Sequence, residues 1–175
     1  ASAGNLEISK GPGTILRFND NASAGAATIT NTQSSINFNN SSSAGTAHIH
    51  NIGGGTSFNN ASSAANARIS AAADGTIGFY GNATAGSAVI TLLDKGFAYF
   101  HGNSTADGAT IVGEAGGSLD ISGVAADGIA IGSLSGNAAV SLGSKALTLG
   151  GLGRSETVGG AITDSGNGGS LVKIG

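Results

Sequence analysis

Five segments of this chain repeat one pattern without an internal gap: FNDNASAGAATI from Phe18, FNNSSSAGTAHI from Phe38, FNNASSAANARI from Phe58, FYGNATAGSAVI from Phe79 and FHGNSTADGATI from Phe100. The phenylalanines stand 20, 20, 21 and 21 residues apart. Each segment closes on an isoleucine (Ile29, Ile49, Ile69, Ile90, Ile111), with an alanine two residues before it (Ala27, Ala47, Ala67, Ala88, Ala109). Weaker copies run through Leu119 and Ile121 and through Val140 and Leu142, keeping the 21-residue step. A period of this size is the signature of a repeat architecture, in which each unit is too small to bury its own apolar face and must stack on the next.

Within each unit the apolar positions lie two apart around Phe and around Ile, which is strand periodicity. Between them lie turn formers: Asn19–Asp20–Asn21, Asn39–Asn40, Asn59–Asn60 and Gly53–Gly54–Gly55. Asn, Asp and Gly tolerate left-handed backbone, so the strands are expected to bend there. Identical residues at identical offsets favour parallel, in-register stacking. Antiparallel hairpins of a sandwich or barrel would not place like against like in this way. The expected fold is all-β: a parallel β-solenoid, read as a right-handed β-helix with about 20–21 residues per coil and a rod of roughly 40 Å. Phe, Ile and Ala columns would fill the interior. Asn19, Asn39 and Asn59, each directly after its Phe, would form a corner ladder of side-chain amides.

Composition narrows the remaining choices. Glycine supplies 32 of 175 residues, there is one proline (Pro12), and Cys, Met and Trp are absent. So much Gly, Ser, Asn and Thr disfavours helix, and no long 3.6-residue apolar stripe is present. Lack of cysteine excludes a disulfide framework and a thiol nucleophile. A formal net charge of −3 offers no electrostatic footprint for nucleic acid. No apolar run reaches the roughly 18 residues that a membrane helix needs, so no membrane span is expected in this segment.

Chemistry-bearing residues are few. A polysaccharide-cleaving β-helix needs carboxylates converging on one face, but Glu7, Asp20, Asp74, Asp94, Glu114, Asp120, Glu156 and Asp164 fall at unrelated offsets. Asp107 and Asp127 come nearest to stacking, and each sits in an Asp-Gly turn pair. His48 and His50 share a strand face, yet Thr28 and Arg68 flank His48 in its column and no carboxylate matches them, so these histidines, like His101, read as solvent-facing. Asn-x-Ser/Thr recurs at Asn21, Asn39, Asn40, Asn60, Asn82 and Asn103, but the repeat itself generates that pattern. The outward pairs Thr28/Thr30, His48/His50 and Arg68/Ser70 are too mixed for an ice-ordering face. The expectation is no enzyme, no metal and no cofactor.

From about Ser144 the text changes to SKALTLGGLGRSETVGGAITDSGNGGSLVKIG, short apolar runs between Gly-rich turns. The stretch LTLGG…VGGAITDSGNGGSLVKIG is similar to the autotransporter-associated β-strand repeat of bacterial type V secretion passengers, and the upstream F-x-x-N-[AS]-[ST]-A-G-x-A-x-I units look like coils of large autotransporter passengers. Residues 1–143 would then be regular coils and 144–175 such a repeat, continuing beyond Gly175, with both ends expected to be internal to a longer chain. The resemblance implies export through an outer-membrane barrel of a Gram-negative bacterium and display, attached or released, as a stalk or adhesin. Its partners would be host or neighbouring-cell surface molecules, or further copies of itself. A self-assembling extracellular filament or matrix subunit is the alternative, and a polysaccharide-active enzyme the third.

Overall fold

The computed structural model describes the backbone of residues 1–175 and every side chain except that of Asp107, which lies outside the described residues together with its expected place beside Asp127. The first ten strands are β1 (Glu7–Lys10), β2 (Ile15–Phe18), β3 (Thr28–Thr32), β4 (Ser35–Phe38), β5 (His48–Ile52), β6 (Gly55–Phe58), β7 (Arg68–Ala72), β8 (Thr76–Phe79), β9 (Val89–Leu92) and β10 (Phe97–Gly102). Then follow β11 (Ala106–Gly113), β12 (Ser118–Val124), β13 (Gly128–Gly136), β14 (Ala139–Ser141), β15 (Ala146–Leu149), β16 (Ile162–Thr163) and β17 (Ser170–Lys173). There is no helix. Odd-numbered strands form one nine-stranded parallel sheet and even-numbered strands an eight-stranded one, each in sequence order. The chain is therefore a β-solenoid of about eight coils.

A third, shorter side closes the cross-section. Ser2, Ser23, Ser43, Ser63, Thr84 and Thr105 form successive isolated parallel bridges. The Ser-Ala-Gly triplet of the repeat explains this side. The hydroxyls of Ser23, Ser43 and Thr84 accept a hydrogen bond from the N–H two residues on: Gly25 to Ser23 at 2.9 Å, Gly45 to Ser43 at 3.0 Å, Gly86 to Thr84 at 2.9 Å. The donor residue takes a left-handed conformation, with φ of 64° at Gly25, 63° at Gly45 and 59° at Gly86. The alanine between them (Ala24, Ala44, Ala64, Ala85) is fully buried.

The core lies where the expected columns meet. Rings of Phe18, Phe38, Phe58, Phe79 and Phe100 stack at 4.7, 4.8, 4.9 and 4.6 Å, within 7° of parallel. This is the coil spacing itself, about 4.8 Å between hydrogen-bonded strands. The column passes from Phe to Ile121 and Leu142, both buried. Opposite it, Ile29, Ile49, Ile69, Ile90 and Ile111 pair in register along the odd sheet. Ala27, Ala47, Ala67, Ala88 and Ala109 are fully buried beside them.

Regularity weakens after the fifth Phe. Register shifts lie between Tyr99 and His101 and between Ala106 and Thr110. In β15 and β17 the paired positions Leu147 and Leu171 stand 24 residues apart. The strands after Ser144 nonetheless continue the same two sheets. Their Gly-rich turn is organised by Asp164, whose carboxylate accepts from the N–H groups of Gly166 at 2.9 Å and of Gly168 and Gly169 at 3.1 Å each. Those backbone donors, Gly166 first, hold the Asp164 carboxyl below its ordinary range.

Candidate functional site

The corner ladder forms as the spacing predicts. Asn39 Nδ2 donates to Asn19 Oδ1 at 2.9 Å, and Asn59 Nδ2 donates to Asn39 Oδ1 at 3.1 Å and to the Phe38 carbonyl at 3.3 Å. A second ladder runs beside it, Asn40 Nδ2 to Asp20 Oδ1 at 2.9 Å. Asp20, Asn40, Asn60, Gly81 and Gly102 all stand at this bend with φ between 56° and 67°. Amide-bearing or glycine residues at one left-handed position explain why the repeat has them there. His48, His50 and His101 are exposed, and His50 Nδ1 lies 3.0 Å from Ser70 Oγ. Among the described residues no three His, Cys, Asp or Glu groups come together.

Two arrangements escape the sequence reading. The first is a polar row inside the rod. Two residues beyond the inward isoleucines, Asn31 and Asn51 also point inward and are buried, and Lys10 occupies the same column one coil earlier. Asn31 Nδ2 donates to Asn51 Oδ1 at 2.7 Å, and Thr56 donates to the same oxygen at 2.9 Å. Lys10 Nζ donates to Ser34 Oγ at 2.9 Å, to Asn31 Oδ1 at 3.2 Å and to the carbonyls of Ser35 at 2.7 Å and Thr14 at 3.3 Å. Burial lowers the Lys10 ammonium from its ordinary value of 10.5. In later coils the column turns to Ala71 and Leu92, so the Asn51 amide nitrogen finds no acceptor. The row ends in an uncompensated donor.

The second is an aromatic cluster on the outside. The chain has six Phe and two Tyr; five Phe fill the core column, and the other three rings gather on the outer face of the even sheet with His101. The corner column that reads Asn19–Asn39–Asn59 continues as Tyr80 and His101, whose rings stack at 5.8 Å and 19°. Tyr99 meets Tyr80 at 5.5 Å and 72° and His101 at 5.6 Å and 77°. Phe97 flanks Tyr99 at 5.1 Å. Tyr99 thus forms one plane and the Tyr80–His101 pair a wall nearly at right angles to it. Two glycines make room: a Cβ on Gly78 would sit 2.6 Å from the Tyr99 ring, and one on Gly123 would overlap the His101 imidazole. The Tyr80 hydroxyl donates to the Tyr99 hydroxyl at 2.7 Å. Burial raises the Tyr99 phenol well above its ordinary value, with the Thr76 hydroxyl opposing.

The signal for this cluster was in the sequence as a departure from the repeat. Tyr80 replaces the corner Asn, and Phe97 and Tyr99 replace small or polar outward residues such as Gly55 and Ser57. A repeat encodes only what recurs, and Tyr80, Phe97, Tyr99 and His101 each occur once at their column position.

A shallow groove follows the opposite corner, lined by small and polar residues including Gly13, Gln33, Gly53 and Asp74. No family model, no curated protein and no solved structure matches the chain.

Proposed function

We propose that this chain is a rigid rod segment of a surface-displayed or secreted bacterial passenger, serving as a stalk or adhesin. The observation that carries this reading is the uninterrupted in-register stack: five phenylalanine rings at 4.6–4.9 Å, flanked by isoleucine and alanine columns. Such a stack resists bending, because any tilt between coils opens close-packed ring contacts and strains backbone bonds in two sheets together. The resemblance of the repeats to autotransporter passengers supplies the route, through an outer-membrane barrel to the Gram-negative cell surface. A test is to label intact cells carrying the full-length gene with antibody against this segment. Labelling of intact cells, lost when a barrel-coding region is deleted, supports the reading. Labelling only after permeabilisation overturns it.

A further inference from the structure

The outer aromatic cluster gathers every aromatic ring of the chain's Phe and Tyr that lies outside the core column. A hydrogen bond of 2.7 Å joins the two tyrosines, and glycines at 78 and 123 leave the space that the Tyr99 and His101 rings occupy. Tyr80, Phe97 and Tyr99 are half-buried and His101 is exposed, so packing against neighbours limits the freedom of the three larger rings before any ligand arrives. Directly beside Tyr99 on the next coil, and on the same outward face, stands Asp120. One of its carboxylate oxygens accepts from the Ser122 N–H at 2.8 Å, which orients the group.

We propose that Tyr80, Phe97, Tyr99, His101 and Asp120 form a binding site for a neutral glycan. The electron-rich face of an aromatic ring attracts the polarised C–H groups on one face of a pyranose, and the effect is directional and weak per contact. A plane with a perpendicular wall holds one sugar ring by its face and edge. A fixed carboxylate beside that plane accepts hydrogen bonds from sugar hydroxyls, roughly twice as strong as those between neutral groups. The same carboxylate repels phosphates, sulfates and uronates, which selects neutral sugars and excludes nucleic acid. Size also favours a glycan over a protein: a stable protein interface covers about 800 Å² on each partner, whereas this cluster is a few rings flanked by Ser57, Thr76 and Ser118. The assignment is independent of how the rod is displayed.

The chain lacks Trp and has both of its tyrosines in this cluster, so intrinsic tyrosine fluorescence reports on this site alone. Purified protein is titrated with cellohexaose, chitohexaose and lactose into the millimolar range, with polygalacturonate as the acidic comparison. A saturable change with at least one neutral sugar is expected, and about tenfold weaker or no response to polygalacturonate, a factor of ten being 1.4 kcal/mol. By calorimetry, Tyr99→Ala should weaken that binding at least about tenfold, and Asp120→Asn should weaken it while relieving the discrimination against polygalacturonate. Gly78→Ala, which displaces the Tyr99 ring without removing it, should weaken binding as Tyr99→Ala does. Absence of saturation with all three neutral sugars, or binding unchanged in Gly78→Ala and Tyr99→Ala with native circular dichroism, overturns the proposal. Tighter binding of polygalacturonate than of the neutral sugars also overturns it. The surface-labelling result is unaffected by either outcome.

Discussion

Ala65 carries a methyl group into a bend where Gly4, Gly25, Gly45 and Gly86 stand in other coils, and it takes φ of 51° there. A left-handed conformation costs an L-residue about 1–2 kcal/mol. Ala65→Gly should therefore raise stability by about 1 kcal/mol, less whatever the freer glycine adds to unfolded-chain entropy, and so raise the denaturation midpoint. A lower midpoint would mean that the methyl group contributes packing that outweighs the strain. The reverse change, Gly45→Ala, would bring a Cβ to 2.5 Å from the Gly25 carbonyl oxygen, so this bend is tight as well as left-handed. A second residue-scale flaw lies four residues after three of the five stacked phenylalanines. Ser42, Ser62 and Ser104 bury hydroxyls that have no partner, while Ala83 fills the equivalent place in another coil. A buried polar atom without a partner costs about 1–3 kcal/mol. Ser62→Ala is expected to stabilise by about 1 kcal/mol in equilibrium urea unfolding; a loss instead would show that a water satisfies the hydroxyl.

Two asparagine ladders of similar geometry differ in burial, and burial decides what each is worth. Asn39 is half-buried at a corner that solvent reaches, so water replaces a lost partner there. Asn39→Ala should cost roughly 0.5–1.5 kcal/mol, a net hydrogen bond. Asn31 is inside, bonding Asn51 and the Gly55 carbonyl while accepting from Lys10. Asn31→Ala leaves several buried groups short of partners and should cost about 3 kcal/mol or more. Equal losses for the two variants would show that water enters the interior row. Lys10 adds a pH signature. Its folded value is lowered below 10.5, so between the lowered value and 10.5 the unfolded chain binds more protons than the folded one. Its contribution to stability therefore rises with pH across that window, and the penalty for holding a buried ammonium is fully present below it. Stability of the parent measured against Lys10→Met should climb through this alkaline window and be flat at neutral pH. A difference that stays flat throughout would mean that the ammonium is solvated in the folded rod.

At the scale of the whole segment, the coils of residues 1–175 form two open sheets that pair coil to coil along the rod. Middle coils satisfy their backbone groups above and below, while β1 and β2 at one end and β16 and β17 at the other each lack one neighbour. Exposed Leu6 and Ile15, and Leu171, Val172 and Ile174, add apolar surface to these edges. A net charge of −3 gives little repulsion between rods. The segment on its own is expected to associate end to end in a concentration-dependent way. Sedimentation over a hundredfold range of concentration measures this. A single monomeric species throughout would show that the edges of the isolated segment are protected. Larger species that disappear when Lys is placed at Leu171 would locate the contact at β17.

The repeat alone determined the fold class, the coil length, the Phe, Ile and Ala columns and the Asn19–Asn39–Asn59 ladder. Parallel stacking turns each sequence offset into a spatial neighbour, so a 20- or 21-residue step is already a contact map. Tertiary structure decided what that rule could not reach. Asn31, Asn51 and Lys10 look like turn and surface residues by type, and only the inward phase of their strands puts them in the core. The aromatic cluster joins Tyr80 from one coil to Phe97, Tyr99 and His101 from the next. Its existence depends on side-chain directions and on the space left at Gly78 and Gly123, which no periodicity encodes. Repetition fixes the backbone and its shared columns; exceptions to it acquire meaning only when the coils are stacked.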